Sequence, residues 1–211
     1  MDYARAKMKF LFSQTAPRVR ANLRYDNVSL YSATDQITAL AIARRLSSLE
    51  SIDDTSVITD ATACIGGNVA AFCTRFHHVQ AVEIDDARHR MLEHNLVVLG
   101  HYNVTSWCAD YLQICTQIKQ DIVFIDPPWG GRNYMQQEHV TLRLGEVHIS
   151  DVCRRLHGHT RYIVLKTPVN FNDALLRKQY RDDQITTWGA SSKIRIMVID
   201  VRIQLHCWVK R

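Results

Sequence analysis

Short apolar segments alternate with amphipathic ones along most of the chain. The apolar segments are rich in β-branched residues, as strands are, whereas the segments between them have the composition and spacing of helices. The predicted strands are VITDAT, VQAVEI, NVTSWC and DIVFID, and the predicted helices between them are GNVAAFCTRF, DARHRMLEHNLVVLG and DYLQICTQI. Strands separated by helices indicate βαβ units, so we expect an α/β fold with a mostly parallel sheet and helices on both faces.

The C-terminal third predicts a change of strand direction. A helix near residues 147–157, the strand RYIVLK and a helix over 172–180 continue the alternation. The segments QITTWG and KIRIMVIDVRIQLHCW follow with only the turn ASS between them, which leaves no room for a helix, so these strands should pair antiparallel. A parallel sheet with a terminal antiparallel hairpin is the layout of the class I methyltransferase fold, which is Rossmann-like. We assign residues 34–211 to this domain.

The first 33 residues form a basic N-terminal arm, which we expect to be partly flexible. Thr34 and Asp35 mark the start of the next helix, because a hydroxyl can cap its free amides and an acid favours its first turn. Among the first 24 residues Asp2 is the only acid, against six bases: Arg5, Lys7, Lys9, Arg18, Arg20 and Arg24. This charge either makes weak contacts with RNA or DNA phosphates or is simply solvated.

Composition limits the class of protein. With 211 residues and 46% hydrophobic content, the chain is suited to one sizeable core. Its longest apolar runs are too short to cross a membrane, and basic residues interrupt the N-terminal stretch where a secretory signal needs an apolar core. The six cysteines include no CxxC pair, and the ten histidines lack partner ligands at metal-binding spacing. We therefore expect an intracellular monomer, cytoplasmic or nuclear and not secreted, without a membrane partner or a metal.

Polar residues follow the predicted strands at their carboxyl ends, where open α/β sheets bind ligands. Asp60 ends the first strand, and Gly66 and Gly67 permit a close backbone approach after it. Glu83 ends the second strand and can take the hydroxyls of a ribose, while Asp110 follows the third and can accept from an adenine amine. The set predicts an adenosine cofactor. S-adenosylmethionine fits better than NAD, because the loop lacks the full G-x-G-x-x-G spacing and Asp60 can receive the methionine ammonium.

The motif DPPW after the fourth strand suits the methylation of an exocyclic amine. Asp126 can hold one amine hydrogen, and the carbonyl beside Pro127 can hold the other, with its direction fixed by the rigid proline rings. Both contacts stabilise the positive charge that develops on the nitrogen. Trp129 offers a face on which the base can stack, and a positively charged base gains a cation–π contribution as well.

These motifs resemble the trimethylguanosine synthase family, whose members use S-adenosylmethionine to methylate the N2 amine of the 7-methylguanosine RNA cap. DPPWGGRNY resembles the family's SPPWGGPDY, and DATACIGGN resembles D-A-F-C-G-V-G-G-N. LYSATDQITALAIARR is similar to W-F-S-V-T-P-E-K-I-A, while AVEID, a later HN and CADYL are similar to A-I-D-I-D, N-N and C-G-D-F-L. The resemblance covers roughly residues 30 to 200, and PPWGG is its most specific part.

The resemblance implies a role for each matching residue. Trp129 stacks the methylated guanine, with Asp126 and Pro127 at its amine as the catalytic group. Tyr134 and Asn133 line the substrate site. The cofactor-binding residues that it implies are Thr34, Asp60, Gly66, Asn68, Glu83 and Asp110.

The chain departs from the family's pattern at several positions. Asp126 stands where the family often has serine, as in the broader amino-methyltransferases with D/N-PP-Y/F/W motifs, and LKTPVNF differs from the family's L-P-R-N. Cys64 replaces the first glycine of the loop, so either the turn is built differently or the affinity for the cofactor is reduced. Lys193 and Arg195 lie near a basic position of the family and either contact phosphate or are solvated at a strand end.

Three functions are consistent with these residues. The leading hypothesis is an S-adenosylmethionine-dependent enzyme that adds one or two methyl groups to N2 of the 7-methylguanosine cap, with capped RNA as its partner; a compact, virus-encoded member of the family fits the chain. The first alternative is an amino-methyltransferase that acts on guanine or adenine of structured RNA or DNA. The second is a degenerate methyltransferase that binds caps or RNA as an accessory subunit, which Cys64 keeps open.

Overall fold

The computed structural model describes residues 3–202 and contains one large mixed sheet. The strands are β1 (Val57–Asp60), β2 (His78–Glu83), β3 (Val104–Cys108), β4 (Ile122–Ile125), β5 (Arg143–Leu144), β6 (Val147–His148), β7 (Tyr162–Pro168), β8 (Ile185–Gly189) and β9 (Ile194–Asp200). Seven of them form the sheet in the order β3-β2-β1-β4-β7-β9-β8, and β5 and β6 form a separate hairpin. The pairings from β3 to β7 are parallel, whereas β9 is antiparallel to both of its neighbours. The predicted class I methyltransferase fold is confirmed.

Helices cover both faces of this sheet. They are α1 (Tyr3–Leu11), α2 (Pro17–Arg20), α3 (Ser29–Ser32), α4 (Gln36–Leu46), α5 (Gly67–Phe72), α6 (Asp86–Leu99), α7 (Tyr111–Ile114), α8 (Ile149–Arg155) and α9 (Ala174–Gln179), with short 3-10 helices at Arg132–Gln136 and Asp182–Gln184. Successive side chains of a strand point to opposite faces. Phe124 of β4 packs on Phe72 of α5 on one face, while Val123 and Ile125 join a cluster with Val152 of α8 on the other. Strand β4, at the centre of the sheet, is therefore apolar and buried along its whole length.

Two predicted boundaries change in the structure. The last strand, predicted to extend to residue 208, ends at Asp200, and residues 203–211 lie outside the described part of the chain. The helix predicted near residue 147 begins at Ile149, because Val147 and His148 pair with β5 and the His148 side chain accepts from the Ser150 amide. The helix predicted over 172–180 is confirmed at Ala174–Gln179. Within residues 3–202, no helix is both long and apolar enough to cross a membrane.

The basic arm packs against the methyltransferase domain. Its side chains Leu11 and Phe12 are buried together with Ile65 of the domain. Asn95 of α6 is fully buried and holds the arm by both backbone groups of Arg24, accepting from its N–H at 2.7 Å and donating to its carbonyl at 2.9 Å. From the sequence we interpreted this segment only by its charge. In the structure its apolar residues, among them Leu11 and Phe12, pack against the domain. Its partial flexibility stays a prediction.

Candidate active site

The loop that follows β1 brings three strand ends together. The Ala61 amide donates to the Phe124 carbonyl of β4, and the Ala63 amide donates to the Val82 carbonyl of β2, both at 2.9 Å. The loop therefore crosses the carboxyl ends of β1, β2 and β4 with its own backbone hydrogen bonds. The predicted cofactor and acceptor residues lie around this crossing.

Asp60 lies at the centre of the site and is fully buried. One carboxylate oxygen accepts from the Thr62 amide at 3.1 Å, while Oδ2 is buried and has no hydrogen-bond partner among residues 3–202. Burial raises the pKa of Asp60 to about 7; the negative charges of Asp126 and Glu83 add to the rise, and Lys166 opposes it. A buried, unpartnered carboxylate oxygen is suited to a cationic group, as the predicted ammonium partner requires.

The glycine loop leaves a second set of unpartnered polar atoms near Asp60. Gly66 has a φ of 97°, and a Cβ on Gly67 would stand 2.9 Å from the Thr34 carbonyl oxygen, so the backbones approach too closely for a side chain. The Thr34 hydroxyl and Asn68 Oδ1 are buried, and neither has a partner within the described chain. Asp35, rather than Thr34, caps α4 by accepting from the Thr38 amide. The Thr34 hydroxyl is therefore available to a ligand, and these residues fit the predicted cofactor.

Cys64 adopts the left-handed conformation that a glycine would favour. Its φ is 50°, and its amide donates to Glu83 Oε2 at 2.9 Å. A left-handed conformation costs a residue with a side chain roughly 1–2 kcal/mol. The loop therefore keeps the backbone conformation that glycine would adopt at this position, and the side chain of Cys64 makes that conformation strained. This shows how the turn is built; a reduced affinity for the cofactor stays a prediction. Burial raises the pKa of the Cys64 thiol to about 12, so this thiol is protonated at neutral pH.

Glu83 and Asp110 stand at adjacent strand ends on the far side of the loop. The second oxygen of Glu83 accepts from the Asp85 amide at 2.9 Å and lies 3.5 Å from Arg88 Nε. Asp110 caps α7 by accepting from the Leu112 amide at 2.9 Å. Each carboxylate oxygen can accept more than one hydrogen bond, so these contacts orient both acids and leave acceptor capacity for hydroxyls or an amine.

Asp126 is the first residue of the DPPW motif, which we predicted to bind the methyl acceptor. Its amide donates to the Thr62 hydroxyl at 2.9 Å, and its Oδ2 accepts from Lys166 Nζ at 2.6 Å. Burial raises the pKa of Asp126, and the ammonium of Lys166 opposes this rise. Lys166 lies on β7 and is only 5% exposed. The pair is a buried charge-assisted hydrogen bond at the carboxyl ends of β4 and β7.

Trp129 lies next to this ion pair. Lys166 Nζ is 5.3 Å from the centroid of its ring, and the ring of Tyr134 meets it edge-on at 5.1 Å. Pro127 is buried, whereas Asn133 is exposed on the short 3-10 helix. The structure thus brings Asp126, Pro127, Trp129 and Tyr134 together, and it places Asn133 at the outer rim.

Lys166 is the residue of this site that sequence reasoning missed. Its segment LKTPVNF differs from the family's L-P-R-N, so the resemblance gave this lysine no role, and its partner Asp126 lies 40 residues earlier in the chain. The only available indication was that a lysine is rare inside a buried strand without a partner. Of the two bases near β9, Lys193 is exposed, whereas Arg195 donates to the Phe171 carbonyl and lies 3.7 Å from Asp173.

Comparison with known proteins identifies the family. Residues 55–205 match the family of RNA cap guanine-N2 methyltransferases. The chain belongs to this family. The match covers β1 through β9 and therefore includes the glycine loop and the DPPW motif, and it confirms the resemblance on which the site residues were predicted.

Two relatives of this family member come from a virus and a yeast. A stretch of 121 residues is 34% identical to an uncharacterised protein of Acanthamoeba polyphaga mimivirus, and 116 residues are 33% identical to the trimethylguanosine synthase of Schizosaccharomyces pombe. The matches cover 55% and 52% of this chain and 47% of each relative. The chain thus spans about half the length of these relatives. A viral origin for this chain stays a prediction.

The fold is also similar to solved methyltransferase structures. A 16S rRNA N2 methyltransferase of Thermus thermophilus, in complex with AdoMet and guanosine, aligns with a TM-score of 0.60 at 15% identity. The alignment covers 85% of this chain and 44% of that one. At this level of identity the likeness supports the fold alone.

Proposed function

We propose that this cap methyltransferase family member transfers a methyl group from S-adenosylmethionine to the exocyclic N2 of a 7-methylguanosine cap on RNA. The observation that carries the proposal is the arrangement of Asp126 and Trp129 beside the buried, unpartnered oxygen of Asp60. Asp126 and Trp129 suit a planar base with an amine, and Asp60 suits a cationic cofactor. Family membership narrows the base to guanine and the atom to N2.

The cofactor side orients a ligand that carries both an ammonium and a ribose. S-adenosylmethionine supplies a methyl group on a positively charged sulfur, which leaves with the electron pair of the broken bond. Asp60 Oδ2 holds the ammonium, and Thr34 and Asn68 use their buried oxygens in the same region. Glu83 accepts from the ribose hydroxyls and Asp110 from the adenine amine. Backbone amides already orient both oxygens of Glu83 and one oxygen of Asp110.

The acceptor side positions the guanine. Trp129 supports the ring by stacking, worth roughly 1–3 kcal/mol per base, and the positive charge of 7-methylguanine strengthens the contact. Asp126 and the carbonyl beside Pro127 accept from the two hydrogens of N2, which directs its lone pair toward the methyl group. After the transfer, the methylated nitrogen loses one proton to Asp126 or to water. Tyr134 holds Trp129 from the side, and Asn133 contacts the cap from the rim.

A methyl-transfer assay tests the proposal. Labelled S-adenosylmethionine is supplied with m7GTP, with an m7G cap dinucleotide, with GTP and with uncapped RNA. We expect transfer to the two methylated guanosines and much less to GTP. Trp129→Ala should weaken binding of m7GTP while sparing the cofactor, whereas Tyr102→Ala, at a fully surface-exposed position away from the site, serves as the matched control. Equal loss of both ligands in the Trp129 variant would contradict the assigned roles.

Asp126 favours a second candidate, an amino-methyltransferase that acts on guanine or adenine of structured RNA or DNA. The cap family often has serine at this position, and an aspartate there is typical of amino-methyltransferases with other nucleic-acid acceptors. Transfer to uncapped RNA or DNA but not to the cap dinucleotide would select this function. Failure to bind S-adenosylmethionine together with retained binding of m7GTP would instead select an accessory subunit without activity.

The arm supplies weak contacts to the RNA beyond the cap. Arg5, Lys9 and Arg18 are exposed, whereas Arg20 donates to the Phe12 and Thr15 carbonyls and has a structural role. Each phosphate contact lowers the slope of log affinity against log salt by about one. We expect the monomer to bind capped RNA with a stronger salt dependence than m7GTP, and reversing Arg5, Lys9 and Arg18 to Glu should remove the difference. An unchanged slope would contradict this role of the arm.

A further inference from the structure

One buried lysine contacts both groups that the proposed function assigns to the acceptor guanine. Lys166 lies on β7, a strand that is buried along its whole length, and is itself only 5% exposed. Its ammonium is 2.6 Å from Asp126 Oδ2 and 5.3 Å from the centre of the Trp129 ring. The sequence analysis assigned this residue no role, although the segment LKTPVNF, which departs from the family's pattern, includes it.

A lysine at this position is costly for the fold unless its charge is compensated. Transfer of an ammonium into a buried site is strongly unfavourable, and an ion pair repays this cost only with close geometry. Asp126 supplies that geometry on one side and the face of Trp129 supplies it on the other. Several substitutions with apolar residues would fill a buried strand position equally well, so the placement points to a role of the charge in the site.

The charge of Lys166 determines whether Asp126 faces the acceptor guanine as a carboxylate or as a neutral carboxyl. The carboxyl is close to the negative charge of Asp60, and burial favours its neutral form. A neutral carboxyl carries a proton and would present a donor to an amine that itself donates. The cation beside Oδ2 favours the carboxylate and occupies that oxygen, so Oδ1 is the acceptor left for the amine.

We propose that Lys166 is the positioning residue of the acceptor site, which keeps Asp126 an oriented carboxylate toward the guanine amine and fixes Trp129 beside it. The inference rests on the proposed function for the identity of the amine. It depends on the aspartate at position 126, where the related family motif often has serine and then has no carboxylate to be held.

A double-mutant cycle separates positioning from a structural role. The unsubstituted 211-residue chain is compared with Lys166→Met, Asp126→Asn and the double variant, at saturating cofactor and cap. We expect Lys166→Met to lower kcat by roughly tenfold to a hundredfold, as misplacement of a reacting group does, with the cofactor Kd unchanged. In the Asp126→Asn background the same substitution should cost little further activity, whereas independent losses would multiply and would overturn the proposal.

Two more variants serve as controls for the charge of Lys166 and for folding. Lys166→Arg keeps the cation and should recover part of kcat, while Lys166→Gln keeps a polar side chain of similar reach without charge and should not. If Lys166→Met fails to fold, Lys166→Gln takes its place in the cycle. Equal kcat in the Arg and Gln variants would show that the charge has no role and would overturn the proposal.

A pH profile gives the sign of the effect. The charged groups that face Asp126 are Lys166 on β7 and Asp60 on β1, and Glu83 on β2 acts on Asp60. Since the ammonium favours the carboxylate, its removal makes Asp126 bind a proton more tightly. The acidic limb of kcat should therefore move to higher pH in Lys166→Met. An unmoved limb would contradict the proposal.

A readout without catalysis keeps this inference separate from the proposed function. The carboxyl carbons of 13C-labelled aspartate are titrated by NMR in the chain and in Lys166→Met, with the Asp126 signal assigned by its loss in Asp126→Asn. We expect Asp126 to titrate at higher pH in the Lys166 variant. If the chain methylates no acceptor but this shift is seen, the proposed function fails and the inference about the pair holds; an identical titration in both proteins overturns the inference.

Discussion

The affinity for S-adenosylmethionine should rise with pH because of Asp60. The carboxyl of Asp60 is buried with one unpartnered oxygen, and its pKa is raised by burial to about 7. Only the ionised form can pair with the ammonium of the cofactor. Protonation of Asp60 therefore competes with binding, and the competition disappears as the pH passes about 7.

The expected change follows from the fraction of ionised carboxyl. With a pKa of about 7, roughly one molecule in eleven is ionised at pH 6 and roughly ten in eleven at pH 8. The apparent affinity scales with this fraction, so it should rise about tenfold between these pH values, equivalent to about 1.4 kcal/mol. Binding at pH 6 should also release close to one proton per cofactor, because the ammonium favours the carboxylate.

Calorimetry measures both quantities. Titrations at pH 6 and pH 8, in buffers that differ in their heat of ionisation, give the affinity and the number of protons released. Asp60→Asn cannot titrate and serves as the matched control, so it reports the pH dependence of the cofactor alone. If the chain and this variant show the same pH dependence, or if no proton is released at pH 6, the assignment of Asp60 to the ammonium is wrong.

The same carboxyl affects folding with the opposite sign. The folded-state pKa of Asp60 is above its ordinary value of 3.8, so its contribution to stability is present below that value and is lost as the pH rises through about 7. The free chain should lose stability over this range, and added cofactor should restore it.

Three further substitutions test the loop and the arm. Gly67→Ala places a Cβ 2.9 Å from the Thr34 carbonyl oxygen, so we expect the free energy of unfolding to fall by about 1–3 kcal/mol and cofactor binding to weaken; unchanged values would show that the backbone adjusts freely. Cys64→Gly should be more stable to denaturant than Cys64→Ala by about 1 kcal/mol, because glycine relieves the φ of 50°, and equal stability would refute the strain. Asn95→Ala should cost about 1–3 kcal/mol and expose the arm to proteolysis near Arg24, whereas an arm that stays resistant would show that its apolar contacts suffice.

The sheet could be predicted from the sequence because the patterns that specify it lie within each strand and in the turns between neighbouring strands. Strand β4 is fully apolar and is followed directly by Asp126, and β8 and β9 are too close in sequence for a crossover helix, so the strand directions followed from spacing. The two-residue strands β5 and β6 were not predicted, because pairs this short have no periodicity to detect. The N-terminal arm was predicted from its charge, and only packing shows that Leu11 and Phe12 bury themselves against the domain.

The site was predictable as far as it follows strand ends. Asp60, Glu83, Asp110 and Asp126 each come at or just after a strand, and a parallel sheet places such positions on one edge. Lys166 could not be placed, because its importance depends on a contact with β4 that no local pattern encodes. The φ angle of Cys64 could not be predicted either. The glycine that the family has at this position suggested either a differently built turn or a reduced affinity for the cofactor, and the sequence did not decide between them.

Strand β9, which lies antiparallel between β7 and β8, also determines where the chain can tolerate insertions and deletions. Pro168 at the end of β7 pairs with Ile194 at the start of β9, so the turn over residues 190–193 lies on the edge that carries the acceptor site. The Ile194 carbonyl closes this turn by accepting from the Ala190 amide at 2.9 Å and from the Ser191 amide at 3.3 Å. Residues added or removed there would change the segment that contacts Val169, directly after β7, without shifting the register of β1, β2 or β4. We therefore expect loop grafting at 190–193 to alter the proposed acceptor side while the residues predicted to bind the cofactor stay in place.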